Sequence, residues 1–554
     1  MQIFNQIHFR NVQGDLFGGL TAAIIALPMA LAFGVASGAG AEAGLYGAIL
    51  VGLFAALFGG SPTLISEPTG PMTVVMTAVI AHNIAADPDN GMAMAFTVVI
   101  LAGMFQILFG ILKLGKYVTL MPYTVISGFM SGIGIILIIL QLAPFIGHAT
   151  PPGGVLGSVE KLPELFADIR IEEFTLAALT LALLLFTPSR LKRYLPPQLI
   201  ALVIGTIVSL TVFSAVDIRR IGEIPTGLPD FQLPVFSAEQ WQSMVIDALV
   251  LGMLGCIDAL LTSVIGDSLT KQQHNSDKEL IGQGMGNMMS GFFGGLPGAG
   301  ATMGTVVNIQ AGARTALSGL TRAFILLVVV VWAAGLTASI PLAVLAGIAM
   351  KVGIDIVDWG FLKRAHRISG KGAFIMFGVI ALTVFVDLIT AVGIGLFVAN
   401  VITIRRLSDL QSGDVKAISS SDDHSVELSD EEKALFKQAQ EHILLFHLTG
   451  PMIFGAAKAI TRKNIEIEDC HTIILDLAEV PHLGVTSSLA LEESIKDNVG
   501  AGRNVYVVGA KGQPLKRLHD LGFLEDMPSV KIVDERVVAM RDAVKQLNQH
   551  SKSE

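Results

Sequence analysis

The chain has 554 residues, of which 52% are hydrophobic and 15% charged, with 37 Lys+Arg against 46 Asp+Glu for a net charge of −9. Soluble domains carry about 25% charged residues, so this composition excludes an ordinary soluble protein and points to the membrane. The first 406 residues hold 21 Lys+Arg and 22 Asp+Glu and the remainder 16 and 24, so the negative charge belongs to the polar tail, which argues against nucleic-acid binding there.

The N-terminus, "MQIFNQIHFRNVQGD", lacks a short apolar core followed by a small-residue cleavage site. The first apolar run is therefore expected to stay in the membrane rather than to be removed. A spanning helix needs about 20 apolar residues. Fourteen segments come close: 15–37, 42–60, 67–83, 92–112, 118–143, 172–187, 197–214, 243–266, 279–294, 302–312, 316–334, 339–357, 373–388 and 390–404.

Lys and Arg gather in short cytoplasmic loops. With the N-terminus inside, the inside loops hold Lys113/Lys116, Arg190/Lys192/Arg193, Lys271/Lys278, Arg314 and Lys363/Arg364/Arg367/Lys371, with Arg405/Arg406 at the end. Lys161/Arg170 and Arg219/Arg220 are exceptions, in longer outside segments. The pattern favours both ends of the membrane part inside.

The third segment opens "SPTLISEPTGPMTVV" and the tenth "GLPGAGATMGTVVNIQ". Each places Pro and Gly first and helix second. Proline removes backbone donors and clashes with the preceding turn, and irregular backbone at membrane depth survives only where it is buried or lines a cavity. Each broken segment is third in its own set of seven. Two halves with an odd number of spans have opposite orientation, giving two inverted seven-helix repeats, and such paired interruptions point to a transporter binding site. Two half-helices would then meet near the midplane, each N-terminus offering about half a positive charge and free N–H groups to an anion. Two glycine-rich packing faces are the plainer reading, but packing needs no prolines.

Ionisable groups at bilayer depth are costly and therefore mark function. Asp258, in "LGMLGCIDALLTSV", is the clearest, and Thr262 lies one turn on. A carboxylate and a hydroxyl on one helix face begin a shell of hard oxygen ligands suited to Na⁺, while a lone buried carboxylate suits a proton equally. Asp387 is also flanked by apolar residues, near a predicted helix end. Asp15, Glu42, Asp267, Asp355 and Asp358 fall near span ends, and Glu67 lies in the irregular start of the third segment.

Residues 407–435 read as a polar linker closing on a capping box, Ser429-x-x-Glu432. Beyond it, "HILLFHLTG", "TIILDLAEV" and "NVYVVGA" read as buried strands, with helices near 453–465, 486–499 and 513–522. Alternating elements give a small α/β domain over 436–554. No Walker loop, His-rich metal spacing or Ser/His/Asp constellation is present, and the two cysteines, Cys256 and Cys470, form no framework. "GQGMGNMMSG" lacks the Lys-Ser/Thr of a nucleotide loop and suits helix packing. The reading is a transporter, not an enzyme.

"GDLFGGLTAAIIALPMALAFGVASG" resembles the first span of the SulP (sulfate permease) anion transporters, and "LLFHLTGPMIFGAA" with "IILDLAEVPHLGVTSS" resembles their C-terminal STAS domain. "LISEPTGPMTVV", "LGCIDALLTSV" and "GAGATMGTVVNIQ" are similar to the cyanobacterial sodium-dependent bicarbonate members, where an aspartate replaces the glutamate of many sulfate-type relatives. The resemblance implies a core domain of spans 1–4 and 8–11, a gate domain of spans 5–7 and 12–14, and elevator-like movement between them. It implies Na⁺ at Asp258, Thr262, Gly300 and Thr302, bicarbonate near Thr69, Ala301 and Thr302, no organic cofactor, and a homodimer in the plasma membrane with STAS contribution and both termini cytoplasmic. The alternative within the family is a proton-coupled sulfate or dicarboxylate permease. Where STAS domains of anti-sigma antagonists carry an Asp-Ser pair, this chain has Gly484 and Val485, with Thr486 and Ser487 following, so a packing and dimerisation role is expected there.

Overall fold

The computed structural model describes residues 4, 5, 7–118, 122–188, 196–222, 229–386, 388–413, 415–420, 425–453, 457, 459–460, 470–522, 527 and 529–550. Asp387 and most of the helix expected at 453–465 lie outside these. The chain divides into two compact units, Met1–Ala399 and Asn400–Glu554.

In the first unit and its last helix, fourteen helices fall on the fourteen predicted segments. They are α1 (Val12–Ser37), α2 (Ala41–Phe58), α3 (Gly70–Ala86), α4 (Gly91–Ile111), α5 (Tyr123–Phe145), α6 (Ile171–Phe186), α7 (Pro197–Thr211), α8 (Trp241–Thr270), α9 (Ser276–Phe292), α10 (Thr302–Gln310), α11 (Leu317–Thr337), α12 (Leu342–Ile356), α13 (Gly370–Phe385) and α14 (Leu388–Gly413). Among the described residues, five are long and apolar enough to cross a membrane by themselves, namely α1, α2, α4, α5 and α8. Helices α3 and α10 are short because their first halves are extended, as Pro68, Pro71, Pro297 and the neighbouring glycines require.

Packing sorts the helices into two groups. Helix α1 lies on α2, α10 and α11; α9 on α2 and α4; α8 on α3, α4 and α10. Separately, α5 packs on α12 and α13, and α6 on α7 and α12. Exchanging the first seven helices for the last seven turns α1–α10 into α8–α3, α1–α11 into α8–α4, α4–α9 into α11–α2 and α5–α13 into α12–α6, and every one of these contacts is present. The extended lead-ins form two short strands, β1 (Ser66–Glu67) and β2 (Ala299–Gly300), paired antiparallel with Ser66 opposite Gly300. Antiparallel pairing of equivalent strands is what an inverted repeat produces.

Glycine allows the close approach of α9 to its neighbours. A Cβ on Gly284 would lie 2.5 Å from the Gly103 carbonyl of α4, and one on Gly282 would lie 2.4 Å from Gly59 N. The stretch "GQGMGNMMSG" is thus a packing surface, as small residues in membrane helices commonly are.

The second unit holds a five-stranded sheet: β3 (Val415–Ile418), β4 (Ile443–Thr449), β5 (Thr472–Glu479), β6 (Asn504–Val508) and β7 (Val530–Val533), adjacent in that order. Strand β3 is antiparallel to β4 and the rest are parallel. Among the described residues, helices α15 (Asp430–Ala439), α16 (Val485–Gly500), α17 (Gly512–Asp520) and α18 (Arg536–His550) accompany the sheet, and buried apolar clusters lie on both of its faces. The predicted capping box opens α15: Ser429 N donates to Glu432 Oε2 at 2.7 Å and Glu432 N to Ser429 Oγ at 3.3 Å. The segment read as a linker includes the end of α14, the strand β3 and the start of α15.

Candidate functional site

The two extended lead-ins raise a question of backbone accounting, since every N–H and C=O at membrane depth needs a partner. Side chains supply many of them. Gly298 N donates to Asn287 Oδ1 at 2.7 Å, and Asn287 Nδ2 returns a bond to Gly298 O at 2.9 Å. Ser290 Oγ donates to Leu296 O at 2.7 Å. Ile65 N donates to Thr305 Oγ1 at 3.0 Å and Ala301 N to Ile65 O at 2.8 Å. Asn308 Nδ2 holds the Thr63 carbonyl at 2.9 Å and Gln283 Nε2 the Ser66 hydroxyl at 2.6 Å. Asn287 Nδ2 also donates to Gln106 Oε1 at 2.8 Å, so Asn287, Gln283, Asn308 and Gln106 form a polar frame within apolar helices. The frame was not picked out from the sequence, although amides inside apolar segments were its signal.

On this frame stand the predicted residues. Asp258 is 8% exposed and its Oδ2 accepts from Thr69 Oγ1 at 2.8 Å. Thr69 is the N-cap of α3. One turn along α8, Thr262 Oγ1 donates to the Gly300 carbonyl at 2.9 Å and lies 3.0 Å from Thr302 Oγ1. Since the Thr262 proton is committed to Gly300, Thr302 is the donor of that second pair. Ala301 is the N-cap of α10, and Thr302 its first residue. Asp258, Thr69, Gly300, Ala301 and Thr302 line one cavity of about 530 Å³, together with Met130 of α5 and Val352 and Asp355 of α12. All six predicted residues are therefore together: five line the cavity and Thr262 stands directly behind Gly300. Asp258 bonds across to α3 rather than along α8, which joins the two expected subsites by one hydrogen bond.

The cavity receives two helix N-termini, those of α3 and α10, and the carboxylates of Asp258, Glu67 and Asp355, the last two paired with Arg322 and Lys351. Around Asp258 the oxygens are a carboxylate, hydroxyls and a carbonyl, the set a hard cation takes. Among the described residues no group of three His, Cys, Asp or Glu that could hold a transition metal exists.

Sequence reasoning overlooked a charged pair at the site. Arg322 of α11 donates to the Glu67 carboxylate, and both are almost fully buried. Arg322 lies six residues inside the segment 316–334, where counting loop charges passes over it. Two further carboxylates cap broken backbone: Asp15 accepts from Arg314 N, Thr315 N and Thr315 Oγ1, and Glu279 from Gly60 N and Ser61 N. In the second unit, Ser487 is buried and donates to the Ile453 carbonyl, whereas Thr486 is exposed in the first turn of α16.

Comparison with known proteins bears on this geometry. The profile of the sulfate permease family matches residues 12–379, and that of the STAS domain residues 435–537. The "Bicarbonate transporter BicA" of Synechocystis sp. is 66% identical over 550 residues, 99% of this chain and 97% of the relative. The "Putative sulfate transporter YvdB" of Bacillus subtilis is 29% identical over 94% of this chain and 95% of its own. Among solved structures, the transmembrane domain of a cyanobacterium bicarbonate transporter BicA matches at TM-score 0.67 and 72% identity, covering 70% of this chain and 100% of that one. SLC26A9 matches at TM-score 0.79 and 18% identity, covering 98% of this chain and 91% of that one, and so shares the fold.

Proposed function

The chain belongs to the sulfate permease family and ends in a STAS domain, and on that premise we propose that it is a secondary transporter carrying bicarbonate into the cell together with Na⁺. One observation carries this reading: Asp258 and the N-termini of α3 and α10 converge on a single cavity, with Asp258 and Thr69 in direct hydrogen bond. The 66% identity to a relative named as a bicarbonate transporter supports the choice of anion.

Na⁺ is a co-substrate in this scheme, held by Asp258 with Thr262, Thr302 and the Gly300 carbonyl. Bicarbonate sits beside it at Thr69, Ala301 and Thr302, facing two partial positive charges. The Thr69 hydroxyl donates to Asp258 and cannot at the same time donate to an anion. Cation binding neutralises Asp258 and frees that hydroxyl, so Na⁺ binds first and creates the anion site. Coupling then follows from one proton having two possible acceptors.

Movement is of the elevator kind: the group α1–α4 with α8–α11 slides against α5–α7 with α12–α14, and the cavity lies between them. The chain resides in the plasma membrane with both termini cytoplasmic and acts as a dimer to which the STAS domain contributes. The test is uptake of labelled bicarbonate into proteoliposomes at fixed pH with and without Na⁺, against a panel including sulfate and a dicarboxylate. Uptake indifferent to Na⁺ but driven by a pH gradient would favour the proton-coupled permease instead.

A further inference from the structure

One buried charged pair at the cavity takes no part in holding Na⁺. Arg322 is 1% exposed and Glu67 3%. Arg322 Nη1 donates to the carbonyls of Ala48 at 3.0 Å and Ser66 at 3.1 Å, and Nη2 to Glu67 Oε2. The guanidinium fits because α2 has glycine at position 52, where a Cβ would stand 2.5 Å from Nη1. Glu67 faces two ways. Oε2 takes the guanidinium, while Oε1 lies 3.4 Å from where a Cβ on Gly304 would be, in the first turn of α10. Glu67 also lines the cavity with Thr69 and Asp258.

We propose that Glu67, which lines the cavity and faces the first turn of α10, determines the charge of the anion accepted by cancelling the Arg322 guanidinium that it binds. With the pair intact, an anion meets the two helix ends, about half a positive charge each, which suits a singly charged anion once Na⁺ has neutralised Asp258. Without the Glu67 charge, the guanidinium behind it is left as a full uncancelled positive charge near the cavity. Attraction scales with the charge of the ligand, so a dianion gains twice what a monoanion gains. Without Arg322, Glu67 becomes an uncompensated buried anion and repels any anionic substrate. This inference rests on the bicarbonate reading and names the residue pair that would exclude sulfate.

The full-length protein in proteoliposomes at saturating Na⁺ and mildly alkaline pH tests it, with labelled bicarbonate as substrate and sulfate as competitor. Glu67→Gln should lower the sulfate inhibition constant relative to the bicarbonate KM by about tenfold or more. Arg322→Met should raise the bicarbonate KM by about tenfold or more with a smaller change in Vmax. The double variant Glu67→Gln/Arg322→Met should bring KM back to within about threefold of the wild type, because neither charge remains. A purely structural staple would reduce the amount of folded protein and leave the sulfate-to-bicarbonate ratio alone. An unchanged ratio in Glu67→Gln, or a double variant no better than Arg322→Met, overturns the inference. If Arg322→Met does not fold, the ratio in Glu67→Gln still decides. Wild-type protein that takes up sulfate rather than bicarbonate overturns the functional reading itself, and the wild-type control separates that outcome from the others.

Discussion

At the scale of single residues, Asp258 and Thr69 carry the most chemistry in the fewest atoms. Asp258→Asn keeps the shape and removes the charge, so Na⁺-stimulated bicarbonate uptake should fall to background while the protein still elutes as a single folded species. Uptake at the normal rate with the normal Na⁺ dependence would make Asp258 structural. Thr69→Val removes the hydroxyl that bonds to Asp258 at 2.8 Å. A hydrogen bond to a charged group contributes about 1.5–3 kcal/mol, so the half-saturation constant for bicarbonate should rise by roughly tenfold or more, while that for Na⁺, which no longer displaces this hydroxyl from Asp258, should not rise. An unchanged bicarbonate constant would show that this hydroxyl is not part of the anion site. Asp258 stands out in the sequence because a charge in an apolar helix breaks a local rule, whereas Thr69, Gly300, Ala301 and Thr302 are named as site residues through the resemblance to the family. Arg322 broke the same rule but was hidden by its place near a span end.

At the scale of elements, the two interrupted helices depend on a frame of amides that α4 and α9 share with α10. Asn287→Leu would leave both polar groups of Gly298 without their partner. Each orphaned buried group costs about 1–3 kcal/mol, so thermal unfolding in detergent should shift down by several degrees, and bicarbonate affinity should fall with it. An unaltered unfolding temperature would show that another group takes over. In the STAS domain, β3 and β7 are the sheet edges and were missed in the sequence. Four residues carry too little periodicity to be read, and each strand has a lysine, Lys416 or Lys531, as edge strands commonly do. Lys531 bonds to Asp542 at 2.6 Å and holds its carboxyl below the usual range, with Tyr506 adding a second bond. A depressed carboxyl stabilises the fold above its unfolded pKa, and that contribution is lost as pH falls through the folded value. The stability difference between wild-type 400–554 and its Asp542→Asn variant should therefore be present at neutral pH and shrink below about pH 4 in thermal melts followed by circular dichroism. A constant difference across that range would refute the pairing.

At the scale of the whole molecule, the two helix groups meet at the cavity, and relative sliding is the motion to test. Gly70 on α3 touches α12: a Cβ there would lie 2.4 Å from Ile356 Cδ1. Cysteines at 70 and 356, in a background with Cys256→Ala and Cys470→Ala, can be joined by a short thiol-specific linker. Joining them should arrest uptake, and reductive release should restore it. Full uptake by the joined protein would exclude an elevator.

By itself the sequence determined where the helices run and where they break. Those features are local: in lipid a chain must satisfy its own backbone, so apolar length, proline and glycine settle the outcome within each segment. The tertiary structure alone decided the pairings. Thr69 and Asp258 are 189 positions apart, and Glu67 and Arg322 are 255 apart. No periodicity reaches across such distances. The two-fold arrangement of the repeats brings β1 against β2, and with them every charge of the site, because the extended lead-ins can satisfy their backbone only in each other's company and against the amides of α4, α9 and α10.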